Sequence, residues 1–155
     1  MAPFVDGLRA RGIAANAIDL PRRRAEDALP AFHLAVPSGS DVVVGGHSFG
    51  GRVASLAAAE PDAPYAALIL FSYPLHPPGS PDRTDARIAH WPAIRCPVLL
   101  LSGESDPFAQ IDLLRAVVPR LADAELVTYP RLGHTLKPVL DDVLDRVAAF
   151  LRGVG

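Results

Sequence analysis

The chain has 155 residues, 50% of them hydrophobic and 21% charged, with a formal net charge of -2. A chain of this length fits one domain, residues 1–155, burying roughly 70% of the surface it would expose unfolded. The composition excludes disorder, and the charge balance gives no chain-wide handle for nucleic acid or an anionic membrane.

In chain order, Pro3 to Arg11 puts Phe4, Val5 and Leu8 on one helical face, with Gly12 as a helix stop. Ile13 to Leu20 reads as a short strand ended by Pro21, and Arg22-Arg23-Arg24 as a solvated turn. A helix over Ala25 to Val36 is weakened by Pro30. The run Val42-Val43-Val44 suits a strand buried on both faces of a parallel sheet. Phe49 to Glu60 is helical in period, and Pro61 ends it. Two further buried strands follow, Ala66 to Phe71 and Val98 to Ser102. After a helix over Ile111 to Leu121 comes a strand over Glu125 to Tyr129. Leu140, Val143, Leu144, Val147 and Leu151 then form the stripe of a C-terminal helix. The alternation predicts a three-layer α/β sandwich, with a mostly parallel sheet of about five strands and helices on both faces.

Cys96 is the single cysteine, so no intramolecular disulfide framework exists, and its place before Pro97 suits a buried thiol. The longest apolar runs fall far short of the ~20 residues of a membrane span. No basic segment followed by an apolar core opens the chain, so a cytoplasmic protein is expected.

The chemistry concentrates at strand ends. Gly46-His47-Ser48-Phe49-Gly50 fits G-x-S-x-G between a Val-rich strand and a small-residue helix. So tight a turn strains the backbone at the serine, and glycines on either side relieve its clashes. The hydroxyl of Ser48 is then lifted clear of the sheet, beside helix amides that favour an anion. The plainer alternative is a glycine-rich turn with an incidental serine. No Gly-Lys-Ser/Thr ending supports a phosphate loop.

A serine at neutral pH needs a base. His134, in Arg131-Leu132-Gly133-His134 after the strand Glu125 to Tyr129, is expected to open at the same sheet edge as Ser48. His47 is expected to point away from the nucleophile, and His33, His76 and His90 lie in less defined contexts. The base in turn needs an acid to fix its tautomer. Asp106 lies beyond Val98 to Ser102, with Glu104 as a rival. An Asx turn before Pro107 is the structural alternative for Asp106. No metal-ligand spacing such as H-E-x-x-H is present, and no cofactor is expected.

The chain resembles the alpha/beta-hydrolase superfamily, nearest its small dienelactone-hydrolase-like branch and the related testis-expressed and KANL-type hydrolase-like proteins. The resemblance rests on GGHSFGGRVAS from Gly45, LILFSYPLHPPG from Leu68, LLLSGESDPF from Leu99 and GHTLKP from Gly133. It implies Ser48 as nucleophile, Asp106 as acid and His134 as base, with the Phe49 N–H donating to an oxyanion. Tyr73, Leu75, His76 and Phe108 are expected to line the substrate pocket. One feature departs from the family pattern, in which further strands precede the first helix and a loop after one of them supplies a second oxyanion donor. That strand would lie between Ile13–Leu20 and Val42–Val44, so a gap, an unpaired edge or an unusual direct pairing is expected. The expected function is cleavage of a small carboxylic ester or lactone. The alternative is a catalytically impaired binding or scaffold protein, and an open strand edge would suit a homodimer.

Overall fold

The computed structural model describes residues 1–154. Four strands form its sheet: β1 (Gly39–His47), β2 (Tyr65–Phe71), β3 (Val98–Gly103) and β4 (Ala124–Tyr129). They pair in chain order, and every pairing is parallel. All carboxyl ends therefore open on one edge of the sheet. The helices are α1 (Ala2–Ala10), α2 (Ala25–Ala35), α3 (Phe49–Ala58), α4 (Thr84–Ile88), α5 (Ile111–Val117) and α6 (Leu140–Val154).

Strand side chains alternate between faces, and the two inner strands divide the core accordingly. Leu68, Leu70, Val98 and Leu100 pack with Ala28 and Phe32 of α2, Val53 and Ala57 of α3 and Leu114 of α5. Ile69, Phe71, Leu99 and Leu101 pack with Phe4 of α1 and Val143, Leu144 and Val147 of α6. The β2 and β3 leucines are almost wholly buried, each stabilising the fold by roughly 1.5–3 kcal/mol. Small residues on α3 let that helix lie close to the sheet: Ala54 and Ala57 are 0% exposed. Pro30 sits inside α2 without ending it, because burial of Ala25, Ala28 and Phe32 holds the helix in place. Gly12 stops α1 as expected, in the left-handed region at φ +77°.

Three expectations are corrected. Ile13–Leu20 forms no strand, so the sheet has four strands rather than five. The segment makes no main-chain bond to β1; a groove of about 420 Å³ separates them, bounded by Met1, Phe4, Asn16, Leu20, Phe32 and Gly46. The outer edge of β1 is thus unpaired, and the Val42–Val44 run is buried on one face only: Val44 is 5% exposed and Val43 40%. Cys96 is half-buried rather than enclosed, and burial raises its thiol pKa. The short helix α4 carries no strong periodic signal and is found only in the structure. Among the described residues, no helix is long and apolar enough to cross a membrane.

Candidate active site

The loops after β1, β3 and β4 bring Ser48, Asp106 and His134 together at the carboxyl edge. Ser48 follows β1 directly, with φ 52° and ψ -115°. A non-glycine residue in that region stores roughly 1–3 kcal/mol of strain. The surrounding glycines make the turn possible. A Cβ on Gly46 would overlap the main chain of Gly50, and one on Gly51 would come within 2.9 Å of the Gly46 carbonyl oxygen. The Ser48 N–H donates to the Phe71 carbonyl at 2.9 Å, fastening the turn to β2.

His134 comes next in the relay. Its Nδ1 lies 2.8 Å from Asp106 Oδ2, and its Nε2 lies 2.9 Å from Ser48 Oγ. A carboxylate only accepts, so Nδ1–H donates to Asp106 and the Nε2 lone pair faces the serine hydroxyl. The Asp106 side chain is 0% exposed. Its second oxygen, Oδ1, accepts the Phe108 N–H at 2.8 Å, so both carboxylate oxygens are engaged. The rival acid Glu104 is occupied elsewhere, accepting from Thr128 Oγ1 at 2.8 Å and from Arg115 at 3.2 Å.

Gly103, at the end of β3, lets the His134 loop approach Asp106. A Cβ there would overlap the carbonyl oxygens of Leu132 and Gly133. The loop carrying His134 can therefore lie directly on the strand that precedes Asp106. Phe108 packs beside the base, with ring centroids 4.5 Å apart.

The other expected pocket residues are buried and make contacts of their own. Tyr73, Leu75 and His76 are 2%, 0% and 3% exposed. The Tyr73 hydroxyl donates to the Arg87 carbonyl at 2.8 Å. His76 is a clamp: its main-chain N–H donates to the Phe108 carbonyl at 3.1 Å, and its Nε2 accepts the Gln110 N–H at 3.2 Å. It pins the loop after β2 to the loop that carries the acid. His47 makes no hydrogen bond to Ser48 among the described residues and meets the His134 loop instead. Its Nε2–H donates to the His134 carbonyl oxygen at 3.0 Å, and the two rings lie 5.0 Å apart. Burial lowers the pKa of His47 below its ordinary 6.5. The sequence carries no periodic signal for either histidine, since both contacts join loops far apart in the chain. Among the described residues, no group of three or more His, Cys, Asp or Glu side chains is placed to hold a metal ion.

A parallel sheet layered by helices, with a serine on a strained strand-to-helix turn, defines the class. A family model described as an alpha/beta hydrolase domain matches residues 21–151, and the chain belongs to that family. Solved structures agree on the fold. The chain is similar to a monoacylglycerol lipase from Paleococcus ferrophilus at TM-score 0.76 and 13% identity, covering 94% of this chain and 87% of that one. It is similar to a thermophilic esterase from Thermogutta terrifontis at TM-score 0.64 and 17% identity, covering 97% and 85%. It is also similar to a dienelactone hydrolase from Anabaena variabilis at TM-score 0.57 and 24% identity, covering 72% of this chain and 49% of that one. No curated protein sequence matches the chain.

Proposed function

We propose that the protein is a serine hydrolase cleaving a small carboxylic ester or lactone through an acyl-enzyme. The observation that carries this reading is the continuous relay from Asp106 through His134 to Ser48, at 2.8 and 2.9 Å, on a strained elbow. The similar lipase, esterase and dienelactone hydrolase support the ester class.

Ser48 Oγ attacks the acyl carbon while its proton passes to His134 Nε2. The resulting imidazolium is held by Asp106, whose carboxylate stays ionised. Negative charge gathers on the former carbonyl oxygen beside the first amides of α3, of which the Phe49 N–H is the nearest in sequence to the nucleophile. His134 returns the proton to the leaving alkoxide, and the acyl-enzyme forms. Water then enters, gives a proton to His134 as it attacks the acyl carbon, and the acid is released as His134 returns that proton to the departing Ser48 Oγ. Phe108, beside the base, is suited to flank the leaving group.

Labelling by a fluorophosphonate tests this without any choice of substrate. The wild-type chain is expected to label and Ser48→Ala not to, with both folded by circular dichroism. Equal labelling of the two overturns the reading.

The open edge of β1 favours a second reading, a binding or scaffold protein that self-associates by strand pairing. That reading expects a folded chain that resists the probe and runs as a dimer in light scattering. A monomer that turns over esters removes it.

A further inference from the structure

The residue before the nucleophile touches the residue that activates it. His47 is the last residue of β1, and its Nε2–H donates to the main-chain carbonyl of His134 at 3.0 Å. Among the described residues, this is the only hydrogen bond made by the His134 main chain. Its ring also packs edge-on against the His134 ring, at 5.0 Å and 60°. The loop around His134 is anchored by Leu136, 1% exposed in the core, but its main chain is otherwise sparsely tied. Arg131 lies in the left-handed region at φ 57°, and Thr135 and Lys137 are exposed. The nearest other main-chain tether, Ser105 N–H to the Leu132 carbonyl at 2.9 Å, holds the segment on the acid's side.

The geometry points to His47 as a positioning residue that fixes the base relative to the nucleophile. The inference rests on the hydrolase reading above. Ser48 is fixed by the elbow of β1, and His134 sits on a loop beyond β4, at the other end of the four-strand order. Asp106 ties the far side of the imidazole to β3, but that bond alone leaves the ring free to pivot about Nδ1. A donor from the strand of the nucleophile closes the remaining side. The Nε2–Oγ distance is then set by rigid elements rather than by a loop. His47 makes this contact as a donor only, through Nε2–H, so it takes no proton from the reaction.

The test compares two variants of similar length in the full chain: His47→Gln, whose amide can donate to the same carbonyl, and His47→Met, which cannot. The first readout is the rate of fluorophosphonate labelling at Ser48. His47→Met is expected to slow it on the order of 10- to 100-fold, and His47→Gln to restore it to within a few-fold of wild type. For an ester that the wild type turns over, the loss should appear in kcat with KM little changed. The second readout needs no reaction: the low-field proton NMR signal of His134 Nδ1–H bound to Asp106. That signal should broaden or vanish in His47→Met and persist in His47→Gln. Wild-type behaviour of His47→Met in both readouts overturns the inference, and so does a His47→Gln variant as impaired as His47→Met. If the wild type does not label at all, the hydrolase reading fails, and the NMR comparison alone decides whether His47 orders the base. If His47→Met does not fold, an ordered His134 signal with wild-type labelling in His47→Ala overturns the inference equally.

Discussion

The molecule contains two serine–histidine pairs at nearly equal distances, and only one has the arrangement that the proposed hydrolysis requires. Ser48 Oγ and His134 Nε2 are 2.9 Å apart at the carboxyl edge of the sheet. Ser55 Oγ and His90 Nε2 are 2.8 Å apart between α3 and the segment after α4. They differ in where the protons go. Ser55 Oγ–H donates to the Arg52 carbonyl at 2.8 Å, so His90 must donate to the serine oxygen and has no free lone pair facing it. His134 has its Nδ1–H on Asp106, which leaves Nε2 as an acceptor. The environments differ too. Ser55 is 0% exposed inside a regular helix, whereas Ser48 is half-buried on a strained turn. Burial holds His90 neutral, with its pKa pushed down to about 4, and no carboxylate is bonded to it. A short Ser–His distance is therefore not a signature of catalysis until the third group and the direction of each proton are known.

Breaking the first pair should have the largest effect. Ser48→Ala is expected to remove fluorophosphonate labelling entirely. Asp106→Asn should lower the labelling rate by roughly 10³–10⁴-fold, because an amide at that position favours the wrong tautomer of His134. A rate within tenfold of wild type would mean that Asp106 does not orient the base.

Breaking the second pair should leave chemistry alone and cost stability. Ser55→Ala strands the His90 Nε2–H and should destabilise the fold by about 1–3 kcal/mol in urea unfolding, with labelling within a few-fold of wild type. Labelling lost in that variant would erase the distinction between the pairs.

The smallest effect is in pH. Because the folded pKa of His90 lies below its ordinary 6.5, the unfolded chain binds a proton that the folded chain refuses. The His90 contribution to stability is therefore complete above about pH 6.5, is lost as pH falls towards 4, and changes little below that. Allowing for its partial exposure, the loss should be about 1–2 kcal/mol. It is read as the difference between urea midpoints of wild type and His90→Gln across that range. Parallel pH profiles for the two proteins would show that His90 makes no such contribution.

That Ser48, Asp106 and His134 meet was legible because each is tied to a local rule. A Val-rich run, then Gly-x-Ser-x-Gly, then a small-residue helix can scarcely be anything but an elbow, and Asp106 and His134 each follow an apolar strand. In a parallel sheet those three strand ends must share an edge, so the strand assignments alone brought the residues near one another. The errors arose where the partner is remote or missing. Ile13–Leu20 has strand-like alternation, but a strand exists only with a neighbour to pair with, and its nearest candidate lies across a groove. Tyr73, Leu75 and His76 sit in a proline-rich stretch that reads as a surface loop, yet their side chains are buried under contacts from α4 and the acid loop. The contact of His47 with the His134 carbonyl is invisible in the sequence because the loop that comes to meet it lies 87 residues away.

The sequence by itself determined the layered α/β order, the parallel strands and the identity and order of Ser48, Asp106 and His134. Those follow from periodicity and from turn chemistry, which act over a few residues. Only the tertiary structure decided that β1 keeps an open edge, that Gly103 admits the His134 loop, that His76 clamps the loop of Asp106, and that His47 rather than His90 bonds to His134. Each of these depends on main-chain atoms meeting across dozens of residues, where hydrogen-bond direction and close approach, not residue type, settle the outcome.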